Sequence, residues 1–409
     1  MTTFLTMAYI IFVNPQILST TGMDAGAVFV ATCLAAALGS LIMAFLANWP
    51  IGMAPGMGLN AFFAFTVVGA MGYTWQEALG AVFISGIIFV ILTVTGVRTW
   101  IIEGIPKSLR SGIVAGIGLF LGLIALKSAG IVVGSDATLV ALGDLTSPPA
   151  LFAILGLFII GALDALKVRG AILIGILAIT ILSIIMGYTQ FGGIFDMPPS
   201  LAPTFFQLDI MGALQFGFVH VILVLVLVEV FDATGTMIGA AKRANLMPEG
   251  KPNRLGRALM ADSTAIVAGS FLGTSSTTAY IESTSGVQAG GRTGLTALTI
   301  GILFLLALFL APLAGSVPAY ATAPALLYVA GLMLREVADV QWDDATEATP
   351  AALTAIAMPF TYSIANGLAF GFISYVALKV LSGRFNQIHM ATLIVAILFV
   401  IKYAFFGAH

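Results

Sequence analysis

Runs of roughly 20 apolar residues recur from one end of this chain to the other, separated by short polar connections. Each run is long enough to cross about 30 Å of hydrocarbon as a helix. The pattern predicts segments at about 4–20, 26–48, 55–71, 75–96, 109–130, 148–166, 169–188, 211–240, 257–272, 282–290 with a preceding strand, 294–314, 319–334, 350–380 and 388–407, about fourteen crossings in all. Two polar interruptions break it. Gly273-Thr274-Ser275-Ser276-Thr277-Thr278-Ala279-Tyr280-Ile281-Glu282-Ser283-Thr284 ends in a carboxylate between apolar runs, and Glu229-Val230-Phe231-Asp232-Ala233-Thr234-Gly235-Thr236 closes the longest aliphatic run upstream. Ionised groups at membrane depth are costly unless paired or lining a wet cavity, so Glu229, Asp232 and Glu282 are the leading functional candidates.

The two halves echo each other. Phe12-Val13-Asn14-Pro15 interrupts the first segment, and Pro50-Ile51-Gly52-Met53-Ala54-Pro55-Gly56-Met57-Gly58-Leu59-Asn60-Ala61-Phe62 opens the third with too many Gly and Pro for a regular helix start. Glu229 to Gly235 is expected to interrupt the eighth segment, and Gly273 to Glu282 opens the tenth, the same ordinal positions seven segments later. Paired interruptions of this kind point to an inverted-repeat transporter with its site near the midplane, and an odd repeat makes the second half run in the opposite sense. Thr277, Thr278 and Tyr280 favour extended backbone, so a short strand is expected before the helix that begins near Glu282, with Met53 to Met57 as its counterpart.

Composition agrees with the pattern. The 409 residues are 60% hydrophobic and 8% charged, against roughly 45–50% and about 25% in soluble domains. The formal net charge of −2 and the lack of a basic stripe give no reason to expect nucleic acid. Cys33 is the single cysteine, so disulfides within the chain and a Cys-based metal site are excluded. No basic n-region precedes the first apolar run, which is therefore expected to be retained.

Basic residues collect in the connections holding Arg98, Lys107 and Arg110, then Lys167 and Arg169, then Lys242, Arg243, Lys251, Arg254 and Arg257, and finally Arg292 and Arg335, while the loops around Asp24, Asp136, Asp144 and Asp196 hold none. The alternation fits a cytoplasmic N-terminus. Lys379 and Arg384 resist it if 350–380 is one crossing, though Pro359 and Asn366-Gly367 offer a break into a half-membrane hairpin, and the topology after residue 350 stays open.

Each candidate has a plainer alternative. Glu282 at a helix start would also serve as a cap. Asn60, the polar member of the first-half break, would equally satisfy backbone groups or touch a ligand. Phe62, Phe63 and Phe231 would stack on a flat ring or fill the core. His220 reads as a hydrogen-bonded interior residue, and Asp262, five residues after Arg257, as an ion-paired structural one. No phosphate-binding loop, His-rich metal spacing or nucleophile elbow occurs, so neither an ATP-driven pump nor an enzyme is expected.

Thr2-Thr3-Phe4-Leu5-Thr6-Met7-Ala8-Tyr9-Ile10-Ile11-Phe12-Val13-Asn14-Pro15, Gly56-Met57-Gly58-Leu59-Asn60-Ala61-Phe62-Phe63, Phe231-Asp232-Ala233-Thr234-Gly235-Thr236, Thr278-Ala279-Tyr280-Ile281-Glu282-Ser283 and Gly290-Gly291-Arg292-Thr293-Gly294 together strongly resemble the AzgA-like hypoxanthine/adenine/guanine permeases, nearly end to end. That family is grouped with the uracil and xanthine permeases. The resemblance implies an all-α polytopic membrane protein of the cell membrane, with a seven-plus-seven inverted repeat and short strands before the third and tenth helices. It implies core regions at 1–96 and 211–314 and gate regions at 97–210 and 315–409. The family's binding carboxylates fall on Glu229 and Glu282 and its essential asparagine on Asn60, with Asp232 in the same motif. Many relatives carry Asp where Glu229 stands, and a longer lead before the first helix.

The activity that the resemblance implies is proton-coupled import of adenine, guanine or hypoxanthine by elevator-type alternating access. The substrate site would comprise Glu229, Glu282, Asn60, Asp232, Phe231, Ser276, Thr277 and Gly58, with Glu229, Asp232 and Glu282 handling the proton. A carboxylate accepts but cannot donate when ionised, which selects for N–H edges. The implied partners are a purine nucleobase, protons, the lipid bilayer and, at most, a second copy of the chain in a homodimer. No cofactor or metal is required. The alternatives are transport of another nucleobase or a small anion in the same fold, or a selective channel.

Overall fold

The structure is a computed structural model describing residues 1–214, 219–246 and 254–406, without the side chains at 219, 220, 231, 232, 234, 405 and 406; His220, Asp232 and Phe231 therefore lie outside the described side chains. The first half holds α1 (Thr2–Met7), α2 (Ile10–Ser19), α3 (Ala25–Ile42), α4 (Met57–Ala61), α5 (Trp75–Val94), α6 (Val97–Gly104), α7 (Lys107–Ser128), α8 (Pro148–Ala165) and α9 (Ala171–Ile185). The second holds α10 (Ile210–Ala213), α11 (Val219–Arg243), α12 (Leu255–Leu272), α13 (Ser283–Gln288), α14 (Gly294–Ala307), α15 (Ala311–Gly315), α16 (Ala319–Met333), α17 (Ala345–Phe360), α18 (Ile364–Leu381) and α19 (Met390–Phe406). There are four short strands, β1 (Met53–Pro55), β2 (Val132–Ser135), β3 (Leu139–Leu142) and β4 (Thr277–Ala279), and π-helical stretches at Met43–Ala47 and Phe62–Ala70 extend α3 and α4.

Eight of the described helices are long and apolar enough to cross a bilayer, and the shorter Met57–Ala70, Ala171–Ile185, Val221–Val230 and Met390–Ala404 are also apolar. With so few polar side chains available, helix ends are set by local chemistry. Asp24 Oδ1 accepts from the Ala27 N–H at 2.7 Å at the start of α3, and Thr74 with Glu77 forms a reciprocal capping box at the start of α5. Gly273 ends α12 at φ +90°, a backbone open to glycine but strained for other residues, and it turns the chain into the polar stretch ahead of β4.

β1 and β4 pair antiparallel, with Met53 opposite Ala279, Ala54 opposite Thr278 and Pro55 opposite Thr277. A helix broken inside the membrane exposes backbone groups that lipid cannot satisfy. Here the two breaks satisfy one another: Gly56 N–H donates to Ser276 O at 2.9 Å and Tyr280 N–H to Gly52 O at 3.0 Å. Side chains close the remainder, with Ser283 Oγ accepting from Gly52 N–H at 3.0 Å, Ser40 Oγ from Met53 N–H at 3.0 Å, and Tyr280 donating its hydroxyl to Pro55 O at 2.6 Å.

Several expectations change. α11 runs unbroken through Glu229 to Gly235, since one glycine costs a helix only about 1 kcal/mol and tertiary packing sets the outcome. α2 likewise passes through Pro15, and the interruption of the first segment falls at Ala8–Tyr9; a proline leaves the carbonyl four residues earlier without its bond, a loss that the helix absorbs. The run 350–380 is a hairpin of α17 and α18, turning at Tyr362 with φ +51°. Its tip is held against Phe65 and Phe120 edge to face. Its base is tied by Lys379 Nζ to Glu347 Oε1 at 2.9 Å and by Arg384 Nη1 to Asp344 Oδ2 at 2.6 Å. Lys379 and Arg384 thus return to the end where Asp344 and Glu347 lie, which removes the conflict in the charge pattern. Arg98, expected in a basic connection, is fully buried on α6.

Gly273→Ala is expected to destabilise the protein by about 1–2 kcal/mol from backbone strain alone, with contact against Thr204 adding to it. Thermal unfolding of the purified protein in detergent measures this; an unchanged midpoint would show that the turn tolerates a side chain.

Candidate functional site

The pairing of β1 with β4 brings together side chains from α4, α5, α11 and α12. Glu229 is fully buried on α11. Its Oε1 accepts from the Ser85 hydroxyl of α5 at 3.4 Å, and its Oε2 has no hydrogen-bond partner. Ser276 Oγ is buried beside the Glu229 carboxylate, the two groups facing each other. Among the described side chains, the charged neighbours of Glu229 are Asp262 and Arg98. Those two form a fully buried ion pair, Arg98 Nη2 to Asp262 Oδ2 at 2.8 Å. Arg98 also donates to Leu259 O at 3.1 Å, and its guanidinium sits 3.9 Å from the centroid of Phe89. Asp262 is therefore ion-paired as expected, but to Arg98 across the fold and not to Arg257.

Asn60 is fully buried on α4. Its Oδ1 accepts from the Ser275 hydroxyl, while its Nδ2 has no partner. Most buried polar atoms in folded proteins are paired, so the concentration of unpaired ones here is informative: Asn60 Nδ2, Glu229 Oε2, Ser276 Oγ, Thr277 Oγ1 and Thr278 Oγ1 all surround one strand crossing. Alternation along β4 divides them. Ser276 and Thr278 face the Glu229 and Asp262 side, whereas Thr277 lies against Gly39 and Gly269 on the opposite face. Gly58, in the first turn of α4, is half-buried, and a Cβ there would come within 2.7 Å of Ile117 Cγ2 on α7. A side chain at that position would push α4 and α7 apart.

Glu282 stands just ahead of α13 and makes no capping bond. Its Oε1 instead accepts from the Tyr9 phenol at 2.6 Å. Glu282 and Glu229 thus sit in different settings, the first beside a phenol, the second beside an ion pair. α11 packs on both β4 and α13, which holds the two settings on one framework. Asp232 and Phe231 belong to α11, but their side chains are outside the described ones. Ser85, Arg98, Ser275 and Tyr9 were not expected at the site. A lone serine in an apolar helix carried no signal, and Arg98 read as a loop cation beside Lys107 and Arg110.

A model of the Permease family matches residues 1–370 of the chain. Adenine permease AdeP of Escherichia coli is 51% identical over 409 residues, covering 100% of this chain and 92% of that protein. Guanine/hypoxanthine permease PbuO of Bacillus subtilis is 44% identical over 410 residues, covering 98% and 95%. Among solved structures, the transmembrane domain of the cyanobacterial bicarbonate transporter BicA aligns with a TM-score of 0.65 at 17% identity, covering 90% of this chain and 96% of that one, a likeness of fold.

Arg98→Met should destabilise the protein by about 3–5 kcal/mol, because it leaves Asp262 charged, buried and unpaired. Adding Asp262→Leu should recover most of that loss. Unfolding midpoints of the single and double variants test this, and a double variant no more stable than the single would show that the pair is not the source of the loss.

Proposed function

The chain belongs to the Permease family, and we propose that it is a secondary active transporter importing purine nucleobases, adenine, guanine or hypoxanthine, by proton symport with elevator-type alternating access. Membership makes it a multi-pass transporter of the cell membrane and not an enzyme. The observation that carries the substrate reading is the group of buried, unpaired polar atoms at the strand crossing. Asn60 Nδ2 is a donor without a partner, and Glu229 Oε2 and Ser276 Oγ lie beside each other as an acceptor and a hydroxyl that can play either part. A purine edge presents N–H donors beside ring or carbonyl acceptors, the complement of that set. Relatives named for adenine and for guanine/hypoxanthine transport support the same class.

Two carboxylates, Glu229 and Asp262, face one guanidinium, Arg98. Among the described side chains the group carries one unbalanced negative charge, which a proton on Glu229 would neutralise as substrate binds. A buried anion is costly to displace through hydrocarbon, so loading and protonation would favour the same movement.

The proposed repeat has seven segments in each half, with β1 and β4 ahead of the third and tenth. The proposed core comprises 1–96 and 211–314, and the gate 97–210 and 315–409. Packing supports the division: α3 lies on α12 and α14, α5 on α12, and α7 on α16 and α17. α6 spans the boundary, tied to α12 through Arg98 and Asp262 and to α19 through Thr392 Oγ1, which donates to Gly104 O at 2.8 Å.

Proteoliposomes carrying the protein should accumulate at least one of radiolabelled adenine, guanine and hypoxanthine, more so with an inward proton gradient, and xanthine and uracil should compete weakly. Glu229→Gln should cut accumulation at least about tenfold, the effect of losing one charge-assisted hydrogen bond. No accumulation of any purine under any gradient would end this reading.

A further inference from the structure

A line of hydroxyl groups runs between α1 and α13. The Thr3 hydroxyl is buried without a partner and lies against Gly286. Thr6 Oγ1 and Ser285 Oγ are 3.1 Å apart, and the Tyr9 phenol then meets Glu282 Oε1 at 2.6 Å. Spacings of three residues keep Thr3, Thr6 and Tyr9 near one face of the chain as it passes from α1 into α2. The line begins at a cavity of about 420 Å3 lined by residues that include Thr2, Thr3, Gly286, Arg292 and Thr296. Tyr9 is fully buried and sits where the first segment is interrupted, at the junction of the two short helices.

We propose that Tyr9 is a positioning residue that holds the Glu282 carboxylate while no base is bound, and that an N–H of the incoming base takes over the oxygen it releases. The inference rests on the reading that Glu282 contacts a nucleobase. A carrier must cross the membrane twice per cycle, once loaded and once empty. In the empty passage Glu282 has no substrate donor, and a carboxylate at depth needs one. A phenol at 2.6 Å is a short, charge-assisted donor and supplies it from within the protein. The hydroxyls of Thr6 and Ser285, one turn closer to the cavity, are engaged with backbone carbonyls, Thr6 with Thr3 O at 2.8 Å and Ser285 with Glu282 O at 2.7 Å, which leaves the Tyr9 phenol as the side-chain donor to Glu282 among the described residues.

Tyr9→Phe removes the donor and keeps the ring. The expected result is a split between two transport modes. Net uptake into empty proteoliposomes, which requires the unloaded return, should fall at least about tenfold, the scale of one hydrogen bond to a charged group. Exchange of internal unlabelled adenine for external labelled adenine, in which the carrier never returns empty, should fall less than about threefold. Equal losses in both modes would overturn the role and make Tyr9 a substrate contact or a purely structural residue. In a Glu282→Gln background the same substitution should add nothing, and an additional loss there would also overturn it. A measurement on the unmodified protein covers the case in which the variant does not fold. Infrared difference spectra on adding adenine should show a change in tyrosine bands, and no change would remove the hand-over. Wild-type protein that neither exchanges nor accumulates any purine would instead remove the transport reading itself.

Discussion

The structure depends on one constraint, that backbone exposed by a broken membrane segment must find hydrogen-bond partners without water or lipid. β1 and β4 meet it by pairing with each other. That pairing couples the two halves of the chain at more than two hundred residues' separation, since Gly56 bonds to Ser276 and Tyr280 to Gly52. It also decides which side chains share a face. Because β4 alternates, Ser276 is turned to Glu229 and Thr277 away from it. The candidate site is thus a consequence of how the breaks are closed. The same hydrogen bonds that make the breaks tolerable bring Asn60 and Ser275 together and set Ser276 beside Glu229 of α11.

How much of this is legible in the sequence depends on which forces are local. The Gly- and Pro-rich opening of the third segment and the polar approach to Glu282 announce irregular backbone, because glycine, proline and hydroxyl residues alter helix formation within a few positions. The membrane class is equally plain from apolar run length. Asp232-Ala233-Thr234-Gly235 has a local breaking tendency too, yet α11 continues through it, because packing around a helix outweighs a propensity difference of about 1 kcal/mol. The partner of Asp262 could not be read at all. Arg98 lies 164 residues away, and nothing in its neighbourhood marks it as buried. A cation beside Lys107 and Arg110 looks like an interfacial anchor until the fold places it against Asp262. The hairpin of α17 and α18 lies between these cases: Lys379 and Arg384 signalled that one crossing was wrong, but the turn residue Tyr362 carries no turn signature.

The buried ion pair has a second consequence. Arg98 and Asp262 satisfy each other only in part, since Arg98 Nε and Asp262 Oδ1 have no partner. Such a pair is seldom a net source of stability, because desolvating both ions offsets their attraction. Its value here is better sought in what it does to Glu229, whose charged neighbours it supplies.

On the proposed reading, the two glutamates divide the demands placed on a carrier. Glu229 is sealed from solvent and surrounded by fixed groups on α5, α6 and α12, so its surroundings change little unless a proton or a ligand arrives. Glu282 is only partly buried, sits just ahead of the six-residue helix α13 and is bonded to a phenol from the junction of α1 and α2. A hydrogen bond between two short elements can be exchanged with less disturbance than one inside the rigid packing around α11, because fewer contacts must move with it. On that reading, Glu229 is suited to take the proton that accompanies the base, and Glu282 to hand its acceptor from protein to substrate and back. The difference arises from where each residue lies relative to the paired strands, Glu229 on a long helix crossing beside them and Glu282 on the short one that emerges from them.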